Sequence, residues 1–541
     1  MLVLENISGF ENWLLTHPFV EGLLHHLSLQ DEKLSAYEEK IKELEKELAK
    51  HQKVPSTPDL GGASKLDKEK KTGKPSNRRG KRNKKPNLKI TRQEIVQAKD
   101  VPSDWILVNH SPHIIQDVIL QADNVCYLLE VWRSPDGKKQ MTAKLPKNLQ
   151  GSHFGADLRA FILSAYHELG ASQGSISNFL SNIGVDISDG SINNLLIKKQ
   201  DVFHQEKEEL LQVGKLLSPE LRTDDTGAKH DYENYFTNCI NTDFFTYFQT
   251  SKTKSRINFL EILCQNHNVY TLNQSSLDYY ELTACPPRAL SLFKNLYAKK
   301  NTYLFKDKLS LTKYLTAHKI TGSTTVRILT EGLLIGTLVE DGFDPSTIIH
   351  SDEAGQFALF VHCLCWKHVE KPLRKLKTYN QLQESQLDEV KGQFWQLYQD
   401  LKKYKENPCP NLVEGFNKQF DQLCEHRKGF FHLNQILDKL LKKKDKMLLV
   451  LKRPEASLHN NDSERDIREY VKRRKISGST KTDLGLKAKD TFLSLKKTCK
   501  KLGISFWDYL RDRIHKTNKI PNLATIIEQK INAQNNNLAK A

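Results

Sequence analysis

Four apolar runs constrain this chain most. Leu221 to Thr226, Tyr235 to Ile240 and Phe244 to Thr250 carry the β-branched and aromatic residues of strands, and Asn241-Thr242-Asp243 supplies a turn between the last two. Helical patterns follow, after which Ser346 to Ser351 reads as a further strand. Strands, helices, then another strand is the element order of an α/β domain.

Two of these runs lead into acids, at Leu221-Arg222-Thr223-Asp224-Asp225-Thr226-Gly227 and at Ile348-Ile349-His350-Ser351-Asp352-Glu353-Ala354. A third acidic site lies near the C-terminus, in Asn460-Asn461-Asp462-Ser463-Glu464-Arg465-Asp466-Ile467-Arg468. Behind it come the cations of Lys472-Arg473-Arg474-Lys475 on a helix-compatible run. Three strands, helix, strand and a later helix bearing an acid is the order of an RNase H-like domain. Asp224, Asp352 and Glu464 are therefore the candidate catalytic and metal-binding residues. Phosphodiester cleavage and transfer have to activate one oxygen and neutralise another, which two ions about 4 Å apart accomplish. Mg²⁺ (or Mn²⁺) takes hard carboxylate oxygens and keeps several waters, so few protein ligands suffice. On a strand Asp224 and Asp225 face opposite ways, and composition does not choose between them.

Lys plus Arg exceed Asp plus Glu by 82 − 65 = 17, which favours a polyanionic partner and points to double-stranded DNA. Between Lys65 and Lys85 there are eleven Lys or Arg and almost no large apolar side chain. Such a segment cannot offset its ordering entropy and is expected to be disordered alone. It reads as a phosphate-binding arm using Lys81, Arg82, Lys84 and Lys85, or else as a solubilising linker. Arg465, Arg468, Lys472, Arg474 and Lys475 are DNA-facing candidates near the third acid.

Leu27, Leu34, Ile41 and Leu48 recur every seven residues, with Tyr37 and Leu44 at the second apolar position. That is a short coiled coil pairing two copies, or a surface helix. Val118 to Leu120 and Val125 to Leu129 read as short strands. Gln173 to Asn182, a turn through Gly184, and Ser188 to Lys199 read as helix-turn-helix, with Ser188 as N-cap and Ser191, Asn193, Asn194 and Lys198 facing DNA. The expected organisation is thus an N-terminal coiled-coil segment (1–54) and a basic linker (55–99). A mixed strand and helix-turn-helix-like DNA-binding region (100–215) precedes an α/β catalytic domain (216–515), which holds a helical insertion at about 370–450. A C-terminal tail (516–541) completes the chain.

Nine scattered Cys suggest reduced thiols in a cytosolic protein. No basic region precedes an apolar core at the N-terminus, and no stretch nears eighteen uninterrupted apolar residues, so neither signal peptide nor membrane span is expected. No Gly-rich phosphate loop implies a nucleotide cofactor. Cys363, Cys365 and His368, with His362, have a spacing too tight for a closed zinc finger. Structural support is the alternative reading for Cys365 and His368.

The blocks Asp224-Asp225-Thr226-Gly227, Ser351-Asp352-Glu353-Ala354, Cys365-Trp366-Lys367-His368 and Asn460 to Arg468 resemble, in this order, those of bacterial insertion-sequence-66 family transposases. The Asn-Asn-x-x-Glu-Arg block is the most specific of them. The resemblance implies a DDE enzyme that cuts the ends of a mobile element and joins them to target DNA with Mg²⁺. It also implies an oligomer of identical chains working on the nucleoid in the bacterial cytoplasm. It aligns Asp224, rather than Asp225, with the family's catalytic Asp. The chain departs from the pattern in three places. The gap from Asp224 to Asp352 is 352 − 224 = 128 residues, implying an extra helical segment around 270–330. Glu353 replaces the usual Gly, and Cys126 stands alone where a zinc-binding cysteine pair is often found. A transposase-derived DNA-binding protein without catalytic activity is the alternative.

Overall fold

The computed structural model describes residues 90–97, 102, 105–145, 153–265 and 269–538, together with Lys33 and Lys40. The heptads, and with them Lys81, Arg82, Lys84 and Lys85, lie outside the described residues. Among the described residues no helix is long and apolar enough to cross a membrane. The chain divides into two compact units, with the boundary between Lys198 and Lys199.

In the first unit, β1 (Val131–Arg133) and β2 (Gln140–Thr142) form an antiparallel hairpin in which Val131 pairs with Thr142. The strands expected at 118–120 and 125–129 are not formed. Their apolar side chains stand in solvent, Leu128 at 91% exposure. β-propensity alone does not make a strand, which needs a partner ladder. Among the described residues of this unit, the turn Ser134-Pro135-Asp136-Gly137, with Gly137 at φ +70°, folds the chain back to provide one.

Helix α1 (Ala156–Ser164) runs on into one π-helical turn, and α2 (Gln173–Asn182) and α3 (Asp189–Ile197) follow. The hydroxyls of Ser172 and Ser188 cap α2 and α3 by accepting from the backbone N–H of Ser175 and Ser191. Gly184, at φ +87°, makes the turn between them. Ile176 and Leu180 of α2 and Ile192 and Leu196 of α3 are buried in the small core of this unit.

The second unit opens with α4 (Asp201–Leu217), then β3 (Glu220–His230), β4 (Glu233–Asn241) and β5 (Thr246–Ser251). Next come α5 (Arg256–Leu263), β6 (Tyr270–Leu272), α6 (Gln274–Leu282), α7 (Pro287–Lys300), β7 (Tyr303–Phe305), α8 (Lys308–Ala317) and α9 (Ser323–Glu340). β8 (Ile348–Ser351) and β9 (Val361–Leu364) complete a five-stranded sheet in the order β5-β4-β3-β8-β9. β4 is antiparallel to both neighbours, whereas β3, β8 and β9 run parallel. The segment before α9 is thus helical with a two-stranded ribbon, β6 against β7. α9 lies directly on it: a Cβ on Gly332 would come within 2.2 Å of the Tyr280 ring.

After β9 the chain forms α10 (Trp366–Val369), α11 (Lys371–Lys375), α12 (Gln381–Glu406), α13 (Val413–Leu423), α14 (Phe431–Leu441) and α15 (Lys444–Met447). This helical insertion has its own apolar core, with Phe394, Trp395, Leu401, Phe420, Leu433 and Leu437 buried. Trp366 is fully buried in that core and donates its indole N–H to the Met447 carbonyl. The last helices are α16 (Asn461–Ser477), α17 (Asp483–Leu502), α18 (Phe506–His515) and α19 (Leu523–Leu538). α16 and α17 pack on the β3-β4-β5 side of the sheet, and α19 packs on α4. This second unit is a mixed sheet flanked by helices.

Candidate active site

The parallel register of β3 and β8 sets Leu221 beside Ile349 and Arg222 beside His350. The ladder ends there; Asp224 lies two residues further along β3, near enough to Asp352 for the charge of one to act on the other. Asp352 is the first residue past β8, and its Oδ1 accepts from the Ala354 N–H at 2.9 Å. The Asp224 carboxyl is pushed up to about 7. Burial is the main cause and the charge of Asp352 adds to it, while the Asp225 N–H, donating to Asp224 Oδ1 at 2.8 Å, acts the other way. Asp225 is engaged elsewhere: Lys254 Nζ stands 3.1 Å from its carboxylate, and the Gln356 amide donates to it.

Glu464 lies in the first turn of α16. Its Oε2 accepts from Lys367 Nζ at 3.0 Å, while His368 Nε2 is 3.7 Å from Oε1 and Arg468 Nη2 is 3.6 Å from Oε2. The charge of His368 is also felt at Asp224, so this imidazole is within electrostatic reach of both acids. The structure thus brings Asp224 and Asp352 together and holds Glu464 among cations. Among the described residues no group of three or more His, Cys, Asp or Glu is disposed to hold a metal ion. The donor chemistry suits Mg²⁺ all the same. Two half-buried carboxylates act on one another, and one of them is driven toward neutrality, a setting that a divalent cation would relieve.

Cys365 links the elements that carry the three acids. The backbone N–H of Asn460 donates to its Sγ at 3.2 Å, and the Asn460 side-chain amide donates to the Thr223 carbonyl at 2.8 Å, one residue before Asp224. Burial by itself would raise the Cys365 thiol, but the imidazoles of His350 and His368 outweigh it and bring it down to about 5. His350 is pushed up in turn: burial opposes its charge, but Cys365 and Glu220 prevail. Its Nδ1 stands 3.3 Å from Glu220 Oε1, poorly aligned for a hydrogen bond and better described as an ion pair. The remaining members of the cysteine–histidine group have separate partners. Cys363 Sγ lies 3.6 Å from the Ser457 carbonyl, and His362 Nε2 lies 2.8 Å from Ser351 Oγ, its imidazole pushed down to about 3 by burial.

Sequence reasoning missed Arg222, a buried cation in an apolar strand whose guanidinium binds Asp462 at 2.9 Å and Asp243 at 2.5 Å. It also missed Asp466, held by Lys497 at 3.2 Å and Lys501 at 2.9 Å. A charge inside a strand that reads as buried is a signal, since it has to be paired. Among the basic candidates, Arg465 pairs with Asp462 at 3.1 Å with a 68% exposed side chain. Lys472 and Lys475 are exposed on α16. Arg474 reaches over β3, its Nη1 3.7 Å from where a Cβ on Gly227 would sit. In the first unit Asn194 and Lys198 are exposed, whereas Asn193 is half-buried and accepts from the Gln173 amide at 3.1 Å.

Residues 296–488 match the family described as Transposase IS66 family. That segment contains Asp352, Cys365 to His368 and Glu464, and Asp224 precedes it. The chain is also 38% identical over 307 residues, 56% of its length, to y4jO, an uncharacterized protein of Sinorhizobium fredii (strain NBRC 101917 / NGR234), of which the match covers 94%. By these likenesses the chain belongs to the IS66 transposase family.

Proposed function

We propose that the protein is a DDE transposase that cleaves the ends of its mobile element and joins them to target DNA, with Asp224, Asp352 and Glu464 as metal ligands. The observation that carries this reading is the proximity of Asp224, in β3, to Asp352, just past the end of the parallel strand β8, with the Asp224 carboxyl raised by burial and by its neighbour. The sheet supports it as well. Numbered by appearance, its strands run 3-2-1-4-5 with the second antiparallel, as in an RNase H-like core. Mg²⁺ or Mn²⁺, when bound by these carboxylates, stabilises the attacking and leaving oxygens of the phosphodiester. Cys365, Asn460 and His368 serve as structural support, fixing the approach of β3, β8 and α16 to one another.

DNA binding falls to the exposed cations of α16, Lys472 and Lys475 with Arg465, Arg468 and Arg474, to the basic arm with Lys81, Arg82, Lys84 and Lys85, and to the helix-turn-helix-like α2–α3 pair. In that pair Asn194 and Lys198 stand free for DNA, while Asn193 acts through its bond to Gln173. The N-terminal heptads would join two copies, and the setting is the nucleoid of a bacterial cytoplasm.

One observation favours the rival, a DNA-binding derivative that no longer cuts: Glu464 is engaged by Lys367, and among the described residues no three acids stand grouped to hold a metal ion. Cleavage of a labelled element-end duplex with Mg²⁺ separates the two. Glu464→Gln, Asp224→Asn and Asp352→Asn should each lower cleavage by about 10² or more while DNA binding persists. Equal cleavage by the wild type and all three variants would dismiss this triad. Tight binding with no cleavage by the wild type would establish the rival.

A further inference from the structure

Glu464 is surrounded by positive charge. Lys367 makes the closest contact, at 3.0 Å, and the two side chains are only 23% and 17% exposed. Arg468 stands farther off and is 58% exposed, so water screens it. His368 shares its charge with Cys365. Lys367 is therefore the principal counter-charge of Glu464. The backbone beneath it is fixed, because Trp366 next to it is fully buried in the insertion core. The ammonium, by contrast, sits at the end of a flexible four-carbon stem and is free to change partner.

A carboxylate already neutralised by an ammonium has less to offer a divalent ion. A backbone phosphodiester carries one negative charge on two free oxygens, as a carboxylate does, but a duplex presents a dense row of them, so seated DNA offers the ammonium an equivalent partner. We propose that Lys367 is a positioning residue that clasps Glu464 in the free protein and releases it when a DNA phosphate takes the ammonium, so that DNA and divalent metal bind cooperatively. This rests on the reading of Asp224, Asp352 and Glu464 as metal ligands. Coupling of this kind is reciprocal: metal bound at Glu464 frees Lys367 for phosphate, and phosphate bound at Lys367 frees Glu464 for metal. It would keep the nuclease chemistry quiet until DNA is seated.

The test titrates Mn²⁺ into the full-length protein, following free Mn²⁺ by electron paramagnetic resonance. It is run with and without a random-sequence duplex, after subtracting the duplex's own Mn²⁺ uptake. A random sequence suffices because phosphate contacts carry no sequence information. In the wild type the duplex should tighten Mn²⁺ binding at least about fivefold, the low end of ordinary couplings. Lys367→Gln should bind Mn²⁺ about fivefold more tightly than the wild type in the absence of DNA, and the duplex should then add little. Lys367→Arg, which keeps the charge, should behave like the wild type; Lys367→Met, which keeps the stem, replaces the Gln variant if that one unfolds. If Lys367→Gln and Lys367→Met match the wild type with and without duplex while Asp224→Asn loses Mn²⁺, the clasp is wrong and the metal site stands. If the wild type takes up no Mn²⁺, or Asp224→Asn takes it up equally, the metal site fails and the clasp with it.

Discussion

The side-chain amide of Asn460 donates to the Thr223 carbonyl at 2.8 Å, joining residues 237 positions apart in the chain. Through this one bond the residue ahead of α16 grips the strand at the step before Asp224. The backbone N–H of the same residue reaches Cys365 Sγ. Asn460 is completely buried, so neither bond competes with water.

Asn460→Ala should therefore cost about 1–3 kcal/mol, the penalty of stranding a buried polar partner. It should also loosen the strand end that carries Asp224. Urea unfolding measures the first effect and Mn²⁺ affinity the second. A variant as stable as the wild type with unchanged Mn²⁺ affinity would remove Asn460 from the support of the site.

The raised Asp224 carboxyl makes a prediction about pH. Its folded value, about 7, lies above the ordinary value of 3.8, so the fold disfavours the charged form. Folding carries no penalty from this group below about pH 4. The penalty grows as pH rises toward 7 and is constant above it. Asp224→Asn abolishes it. The stability advantage of the variant over the wild type should therefore increase between pH 4 and pH 7 and then level off, at no more than about 4 kcal/mol. Urea midpoints at pH 4.5, 6 and 8, taken without divalent metal, supply the curve, and a flat difference across that range would contradict the burial and pairing of Asp224. Added Mg²⁺ should shrink the difference by stabilising the wild type alone.

Much of the sheet was legible in the sequence because it is written locally. β3, β4, β5 and β8 are runs of apolar and β-branched residues bounded by turn residues, and Asn241-Thr242-Asp243 does separate β4 from β5. β9 was not legible. Val361-His362-Cys363-Leu364 is four residues long and draws the eye as a cysteine–histidine cluster, whereas its identity as a strand comes from pairing with β8. The converse holds at 118–129, where apolar and β-branched side chains have strand propensity but no partner strand, and stay irregular and exposed. In the site, Asp224 and Asp352 could be proposed from their places at the ends of apolar runs. The contact between Lys367 and Glu464 could not, because it joins residues 97 apart on two helices whose approach depends on how the insertion docks. The setting of Cys365 was hidden for the same reason, since its partners come from β8, α10 and the residue preceding α16.

The last prediction concerns the surface that would meet DNA. Lys472 and Lys475 lie on the second half of α16, both exposed, and Arg474 between them crosses toward Gly227 on β3. The helix that carries Glu464 in its first turn thus carries these cations in its later turns. Exposed lysines of this kind contribute to DNA affinity by displacing counterions from phosphates, which fixes the form of the effect. Lys472→Gln and Lys475→Gln should each weaken binding to every duplex by a similar factor. Each should also reduce the steepness of log affinity against log salt by about 0.9, with no change in sequence preference. Fold stability should move by no more than about 0.5 kcal/mol, as for other exposed positions without special contacts. Deleting residues 65–94 from the basic arm should flatten the salt dependence by several such steps. Binding measured over a range of NaCl concentrations, on duplexes of two unrelated sequences, reads all of these. A salt slope unchanged by both lysine substitutions would place DNA on another face of the protein, and one unchanged by the deletion would leave the arm a linker.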